Sequence, residues 1–191
     1  MQAITDIKHL TVQTLPPILV LTGEDVGQFE WLKKDILKKI GYDPSDLNYS
    51  YFDMKESSYA EVELDLVSLP FFADEKIVIL DHLLDLTTAK KRNLTDEDLK
   101  QFENYLENPS ESTRLVIFAE GKLDSKRRLV KLLKRDAQIV EATTPKEQDL
   151  KRYFSSQAQE LGLHFVGDSL DQLLLKSGYD FGELQKNIAL L

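Results

Sequence analysis

Short apolar segments alternate with amphipathic helical segments over the first three quarters of the chain. Five of the apolar segments have the length and residue types of strands, and they read ILVLTG, LNYSYFD, KIVILD, RLVIFAE and AQIVEA. Strands that are apolar almost throughout are typical of a parallel sheet covered on both faces. Because consecutive parallel strands need right-handed crossovers, the order predicts an α/β fold with a mainly parallel five-stranded sheet and helices on both faces.

Capping signals predict where several helices of this region begin. Ser58 with Glu61, and Thr95 with Asp98, have the three-residue spacing of a capping box. Asp124 is expected to begin a basic helix whose leucines face inward. The helix after Ser58 has an apolar face that ends just before Pro70, and this face consists of Tyr59, Val62, Leu66 and Leu69. A proline at this point ends the helix.

The strand pattern stops at Thr143, which predicts a first domain over residues 1–143 and an all-helical domain over 144–191. Thr144 is the expected cap of the next helix, with Pro145 at its first position and Glu147 completing a capping box. A second helix is expected near Ser169–Lys176 and a third from Asp180. The expected apolar stripes are Leu150, Phe154, Ala158 and Leu161 in the first helix, and Leu184, Ile188 and Leu191 in the third. Because that stripe reaches the last residue without a cap, the sequence favours a fragment of a longer protein.

Composition excludes several classes of protein. The chain has no cysteine, which rules out disulfides and thiolate metal sites and favours a reducing, cytoplasmic setting. Its three histidines form no i,i+4 pair, so no helical zinc motif is expected. No apolar run approaches the roughly 18 residues of a membrane span, and the N-terminus does not have the pattern of a signal peptide.

Charge is distributed unevenly along the chain. The net charge is −9, which argues against nucleic-acid binding by the chain alone. Residues 122–135 nevertheless contain seven basic residues and one aspartate, a net charge of +6. The sequence favours a solvated helix face here over a binding patch. The candidate contacts to DNA or another subunit are Lys126, Arg127, Arg128, Lys131 and Lys134.

The junction after the first strand, LTGEDVGQFEW, lies where a phosphate-binding loop would be expected. It has Gly23 and Gly27, but no lysine before Lys33, and it places Glu24 and Asp25 where phosphate oxygens would lie. A phosphate-binding loop needs its lysine and hydroxyl to hold phosphate and magnesium, whereas carboxylates repel a triphosphate. The sequence therefore predicts no intact nucleotide site and no cofactor.

No catalytic residue is predicted. The segment IVILDH places Asp81 at a strand end, but the next residue is His82 rather than a glutamate that could activate water. Asp81 is expected to cap the following segment. The alternative is an enzyme on a doubly wound sheet that uses Glu24, Asp25 and Asp81, since such folds bind ligands at their strand ends.

The order of four stretches resembles the δ subunit family of the bacterial DNA polymerase III clamp loader. These stretches are ILVLTGEDVGQFEW, SLPFFADEKIVIL, LVIFAEGKLDSKRRLVKLLKRDAQIVEATTP and GYDFGELQKNIALL. The resemblance implies an AAA+/RecA-like first domain with a degenerate phosphate loop, a small helical lid, and a third collar domain that is missing here. It also implies an accessory subunit of the polymerase holoenzyme that does not hydrolyse ATP itself.

Sister subunits of such a loader differ from this chain in recognisable ways. The ATP-hydrolysing subunit keeps an intact phosphate loop, and the δ′ subunit typically carries a zinc-binding cysteine cluster. The resemblance implies that these two subunits and the sliding clamp (the β subunit) are the partners of the chain. DNA would be contacted mainly through the complex, and no membrane is expected. A second alternative is an AAA+-type regulatory module without a clamp partner.

The family inserts a hydrophobic wedge, typically leucine-phenylalanine, into a pocket on the clamp. By resemblance, this wedge falls on Phe71 and Phe72, with Leu69 and Pro70 just before them and Phe72 as the deeper anchor. The residue pattern alone favours a different interpretation, because most phenylalanines are buried, and it predicts that at least one of the two rings is in the core.

Overall fold

The five predicted strands form one sheet in the computed structural model, which describes residues 1–191. All neighbouring pairs are parallel, and the strand order is β2-β3-β4-β1-β5. The strands are β1 Ile18–Gly23, β2 Tyr49–Asp53, β3 Lys76–Asp81, β4 Thr113–Glu120 and β5 Gln138–Ala142. The predicted sheet is thus confirmed, and β1 lies between β4 and β5.

Eight helices surround and follow the sheet. They are α1 Gln2–Asp6, α2 Val26–Lys39, α3 Tyr59–Val67, α4 Asp96–Glu107, α5 Arg128–Asp136, α6 Glu147–Glu160, α7 Ser169–Lys176 and α8 Phe181–Ala189. A short 3₁₀ turn, Leu84–Leu86, lies in the loop after β3. The sequence pattern did not predict α1. None of the helices is both long enough and apolar enough to cross a bilayer.

Both faces of the sheet are covered, as the apolar strands predict. In β1, Ile18 and Val20 belong to the core beneath α3, α4 and α5, whereas Leu19 and Leu21 belong to the core beneath α1 and α2. Successive residues of a strand point to opposite faces, so a strand buried on both sides is apolar along most of its length.

Two capping boxes form where the sequence predicts them. The Ser58 hydroxyl accepts the Glu61 N–H while the Glu61 carboxylate accepts the Ser58 N–H at 3.0 Å, and Thr95 and Asp98 repeat the arrangement. The prediction that Asp124 begins the basic helix is wrong, because α5 begins at Arg128. The Asp124 carboxylate instead accepts the N–H two residues later, at 3.1 Å, in a turn ahead of the helix.

The predicted cap of α6 is also wrong. The helix begins at Glu147, and neither Thr144 nor any other side chain caps its N-terminus. Gln28 donates its side-chain amide to the Thr143 carbonyl at 3.1 Å, which holds the segment between β5 and α6 against α2. Pro145, expected at the first helical position, lies two residues before the helix begins.

The helices α6, α7 and α8 form a separate apolar cluster, and no strand occurs among them, as expected. Its buried members are Leu150, Phe154, Leu170, Leu174, Phe181, Leu184 and Ile188. Trp31 of α2 joins this cluster, with its ring edge-on to Phe181 at a centroid distance of 5.8 Å. Leu161 and Leu191 were expected in the stripes but are exposed, because each lies beyond the end of its helix.

Candidate functional site

The two ends of the parallel sheet carry different chemistry. The carboxyl ends of the strands bring together the β1–α2 junction and the polar residues at the ends of β2 and β3. The amino end carries the loop between α3 and β3, which contains both candidate wedge residues. Ligands of such folds bind at the carboxyl end, so each end needs separate examination.

At the amino end, residues Leu69–Asp74 form a loop that projects from the protein surface. This loop makes no hydrogen bond through its backbone or its side chains. Phe71 is 84% exposed, Phe72 is 74% exposed, and their ring centroids are 6.3 Å apart. The expectation that at least one ring is in the core is therefore wrong. Since α3 ends at Val67 and Pro70 prevents its continuation, both rings fall outside the layer that covers the sheet.

More apolar side chains adjoin this loop than the sequence suggested. Leu69, expected on the buried face of α3, lies beyond the helix end and is exposed. Leu64 and Val67, on the outer face of α3, are exposed as well. Contiguous exposed apolar residues mark interaction sites more often than scattered ones do. The signal that would have found these two residues is their position, because the buried stripe Tyr59, Val62 and Leu66 leaves both on the outer face of the helix.

An ion pair flanks the loop on the side of β3. Arg114 donates two hydrogen bonds to the carboxylate of Glu75, at 3.0 and 2.7 Å. These bonds hold the pKa of Glu75 below its ordinary value. The pair is partly exposed to solvent, so it contributes little to stability. It joins Glu75, the residue that follows the loop, to Arg114 of β4.

At the carboxyl end, the β1–α2 junction is filled by protein atoms. Gly23 has a φ of +123°, and a Cβ on it would lie 2.2 Å from the carbonyl oxygen of Ala142. Asp25 caps α2 by accepting the Gln28 N–H at 2.8 Å, and Glu24 is exposed. In a phosphate-binding loop, the first turn of the following helix receives a phosphate. Here the first turn of α2 already binds the carboxylate of Asp25.

The first turn of α8 packs against the first turn of α2. A Cβ on Gly27 would lie 2.7 Å from the backbone nitrogen of Gly182, so only glycine fits this contact without a shift. Asp180 caps α8 through the Glu183 N–H at 2.8 Å, beside Gly27. Burial raises the pKa of Asp25, and the nearby charge of Asp180 raises it further. The N-termini of α2 and α8, each capped by an aspartate, thus occupy the place where a phosphate loop would bind its ligand.

Asp81 ends β3 with both carboxylate oxygens engaged. One oxygen accepts the Lys33 ammonium at 2.5 Å together with the hydroxyl of Tyr51, and the other accepts the His82 N–H at 2.8 Å. The expected capping of the next segment is therefore only part of its role. Burial and the hydrogen bond to Asp81 raise the pKa of Tyr51, so this phenol stays protonated and donates. His82 has a φ of +55°.

The three carboxylates of the alternative enzyme hypothesis do not form a site together. Asp25 caps a helix, Asp81 is buried against Lys33, and Glu24 faces solvent. Nowhere in the chain do three or more histidine, aspartate or glutamate side chains converge in a geometry that could hold a metal ion. The arrangement gives the carboxyl end a structural role rather than the geometry of a metal-dependent active site.

The five basic candidates lie on α5 and the turn before it. Arg127 pairs with Asp124 at 3.2 Å, and Arg128 pairs with Glu107 of α4 at 3.0 Å. Lys134 donates to the hydroxyl of Ser125 at 2.7 Å. Lys126 and Lys131 are exposed and have no ion-pair partner. The basic surface is therefore smaller than the net charge of residues 122–135 suggests, because acidic neighbours pair with all three arginines of that segment, Arg135 included.

Comparison with known proteins identifies the family. The family model of the DNA polymerase III delta subunit matches residues 19–143. This chain belongs to the DNA polymerase III delta subunit family. A curated relative, the DNA polymerase III subunit delta of Bacillus subtilis, is 30% identical over 137 residues, which are 71% of this chain and 40% of the relative. The delta-family chain thus spans less than half of that protein.

Solved structures agree on the fold. The Bacillus subtilis DNA clamp loader delta protein has a similar structure, with a TM-score of 0.76 at 22% identity. The match covers 98% of the delta-family chain and 56% of the Bacillus subtilis protein. A gamma subunit-related protein of Thermotoga maritima, at 17% identity, gives a TM-score of 0.53, and the match covers 58% of that protein. AMPPCP-bound DnaA of Aquifex aeolicus, at 18% identity, gives 0.51 with the same coverage. The delta-family chain therefore has the AAA+-like architecture of clamp-loader proteins, as its sequence predicts.

Proposed function

We propose that this delta-family chain binds the sliding clamp through the wedge Leu69–Phe72 and helps to open the ring so that it can be loaded onto DNA. The observation that carries the proposal is the exposure of Phe71 and Phe72 side by side on one loop. A soluble chain gains nothing in its own stability from two solvated aromatic rings. Aromatic anchors that enter a partner's pocket are, however, typical of binding hot spots.

The size of the effect is compatible with a reversible complex. Burying one phenylalanine is worth about 1.5–3 kcal/mol, so the two rings supply roughly 3–6 kcal/mol before the cost of association. Opening follows if the wedge binds a strained or open interface better than a closed one, because a ligand shifts an equilibrium only by such a difference in affinity.

ATP hydrolysis is assigned to the partner subunits in this proposal. Three features support that assignment: the acidic cap of α2, the contact between Gly27 and Gly182, and the engagement of both oxygens of Asp81. The chain then acts as a non-catalytic accessory subunit beside an ATPase subunit and δ′ in the cytoplasm. The proposal also treats residues 144–191 as the lid and assigns DNA contact mainly to the assembled complex, with Lys126 and Lys131 as the candidate contacts of this chain.

The proposal is tested by titrating the clamp of the same organism with Phe71→Ala, Phe72→Ala and the double variant. Each single substitution should weaken binding about 10- to 100-fold, and the double variant more. Leu161→Ala is the matched control, because it also removes an exposed apolar side chain, but just after α6 and far along the chain from the wedge. Unchanged affinity of the double variant, with an unchanged circular dichroism spectrum, would reject the wedge. A wild-type chain that forms no complex with the clamp would favour a regulatory module without a clamp partner.

A further inference from the structure

A buried lysine joins the two ends of the wedge loop. Lys76 is the first residue of β3, and its side chain is only 6% exposed. Its ammonium donates to the carbonyl oxygen of Asp65 and to the hydroxyl of Ser68 at 2.6 Å, with an Asp65 carboxylate oxygen at 3.5 Å. Both partners precede the loop and Lys76 follows it, so the side chain closes the base of the loop.

The position of the ammonium has a physical reason. The last turn of α3 contains no basic residue, and Ser68 at its end is already extended. The carbonyl groups of that turn carry the negative end of the helix dipole and have no further helical partner. Lys76 supplies the missing positive charge from the next strand. Burial of an ammonium is costly unless it is well hydrogen-bonded, and here it has two close acceptors and a carboxylate.

Two weaker contacts accompany this connection. Thr113 of β4 donates its hydroxyl to the Leu66 carbonyl at 3.3 Å, and the pair Glu75–Arg114 lies nearer to solvent. Exposed ion pairs contribute little, whereas hydrogen bonds from a buried charged donor are among the stronger ones. Lys76 is thus the strongest link between the base of the loop and the sheet.

We propose that Lys76 is a positioning residue for the wedge. By fixing where the chain leaves α3, it holds the path of Leu69–Asp74 and presents Phe71 and Phe72 before the partner arrives. The inference rests on the proposed function for its consequence in binding. A loop that is already ordered does not lose that conformational entropy on association.

The decisive variant is Lys76→Met, which keeps an apolar stem of similar length and removes only the ammonium. We expect about tenfold weaker binding to the clamp, which corresponds to ~1.4 kcal/mol. The effect should shrink when Phe72 is already alanine, because a positioning residue acts through the ring it places. A merely destabilising substitution would lower affinity by the same factor in both backgrounds. Arg114→Met is the matched control, since it removes the exposed pair at the same loop.

A second measurement needs no clamp. Chymotrypsin cleaves after aromatic residues, so cleavage after Phe71 and Phe72 reports directly on the loop. Lys76→Met should be cut several-fold faster there under native conditions, and Ser68→Ala, a milder change that removes one acceptor, should be cut at an intermediate rate. Unchanged cleavage and unchanged affinity in both variants would overturn the positioning role. If the phenylalanine variants bind the clamp like wild type while cleavage still responds to Lys76→Met, the proposed function fails and the structural role of Lys76 stands.

Discussion

The buried ion pair between Lys33 and Asp81 gives a quantitative test of the structure. The Asp81 side chain is 4% exposed, and its closest charged partner is the Lys33 ammonium at 2.5 Å. Lys33→Met removes that partner and leaves a carboxylate in the interior. Breaking a buried pair from one side typically costs 3–5 kcal/mol, because the remaining charge is uncompensated.

The expected loss lies at the lower end of that range. Tyr51 and the His82 N–H still donate to Asp81 in the variant, so the carboxylate keeps two of its three hydrogen bonds. The ammonium also lies 5.7 Å from the ring centroid of Phe118, and this contact is lost too. We therefore expect a loss of about 3 kcal/mol, or a decrease in Tm of about 6–12 °C for a chain of this size.

Urea denaturation and thermal melts of Lys33→Met measure the loss. The matched control is Lys34→Met, since Lys34 is the next residue of α2 and is exposed without an ion-pair partner. The control should change stability by less than about 0.5 kcal/mol. If Lys33→Met also costs under 1 kcal/mol, the interpretation of Asp81 as a buried, lysine-compensated charge is refuted.

The contact between α2 and α8 supports two further predictions. Gly27→Ala should lower the free energy of unfolding by about 1–3 kcal/mol, because its Cβ would meet the Gly182 nitrogen at 2.7 Å; urea denaturation measures this loss. Asp25→Asn should raise stability near neutral pH and lose this advantage as the pH falls through the raised pKa of Asp25 to the ordinary aspartate value of 3.8. The sign follows because burial, and then the charge of Asp180, raise the pKa of Asp25, so its ionised form is penalised only in the folded protein. Melts across this pH range test it, and Asp25→Ala, which loses the cap, should instead cost about 1 kcal/mol.

Local patterns predicted the fold well where the physical cause is local. The strands follow from apolar runs, and the capping boxes at Ser58 and Thr95 follow from residues three positions apart. The same kind of residue misled at Asp124 and Thr144. A short polar side chain satisfies a backbone N–H equally in a cap and in a turn, and only the surrounding structure decides between them.

The candidate site depended on information that a periodic pattern does not contain. Periodicity favoured burial of at least one phenylalanine, and resemblance to a family favoured an exposed wedge at Phe71 and Phe72. Lys76 appeared only as the start of a core strand, although its partner Asp65 lies 11 residues earlier. Asp81 was recognised as a strand-end carboxylate, but its partner Lys33 is 48 residues away. Such pairs exist only after the sheet has formed.

The strand β3 connects these observations, because a buried charged residue lies at each of its ends. At the amino end of β3, Lys76 donates a hydrogen bond to Ser68 at the end of α3. At the carboxyl end, Asp81 pairs with Lys33 of α2. All six of its residues are buried. Lys33→Met and Lys76→Met therefore perturb the same strand at opposite ends. If clamp binding depended on global stability, Lys33→Met, with an expected loss of about 3 kcal/mol, would weaken it as well. If binding depends on how the loop is held, only Lys76→Met weakens it, and equal affinities of the two variants would contradict the positioning role.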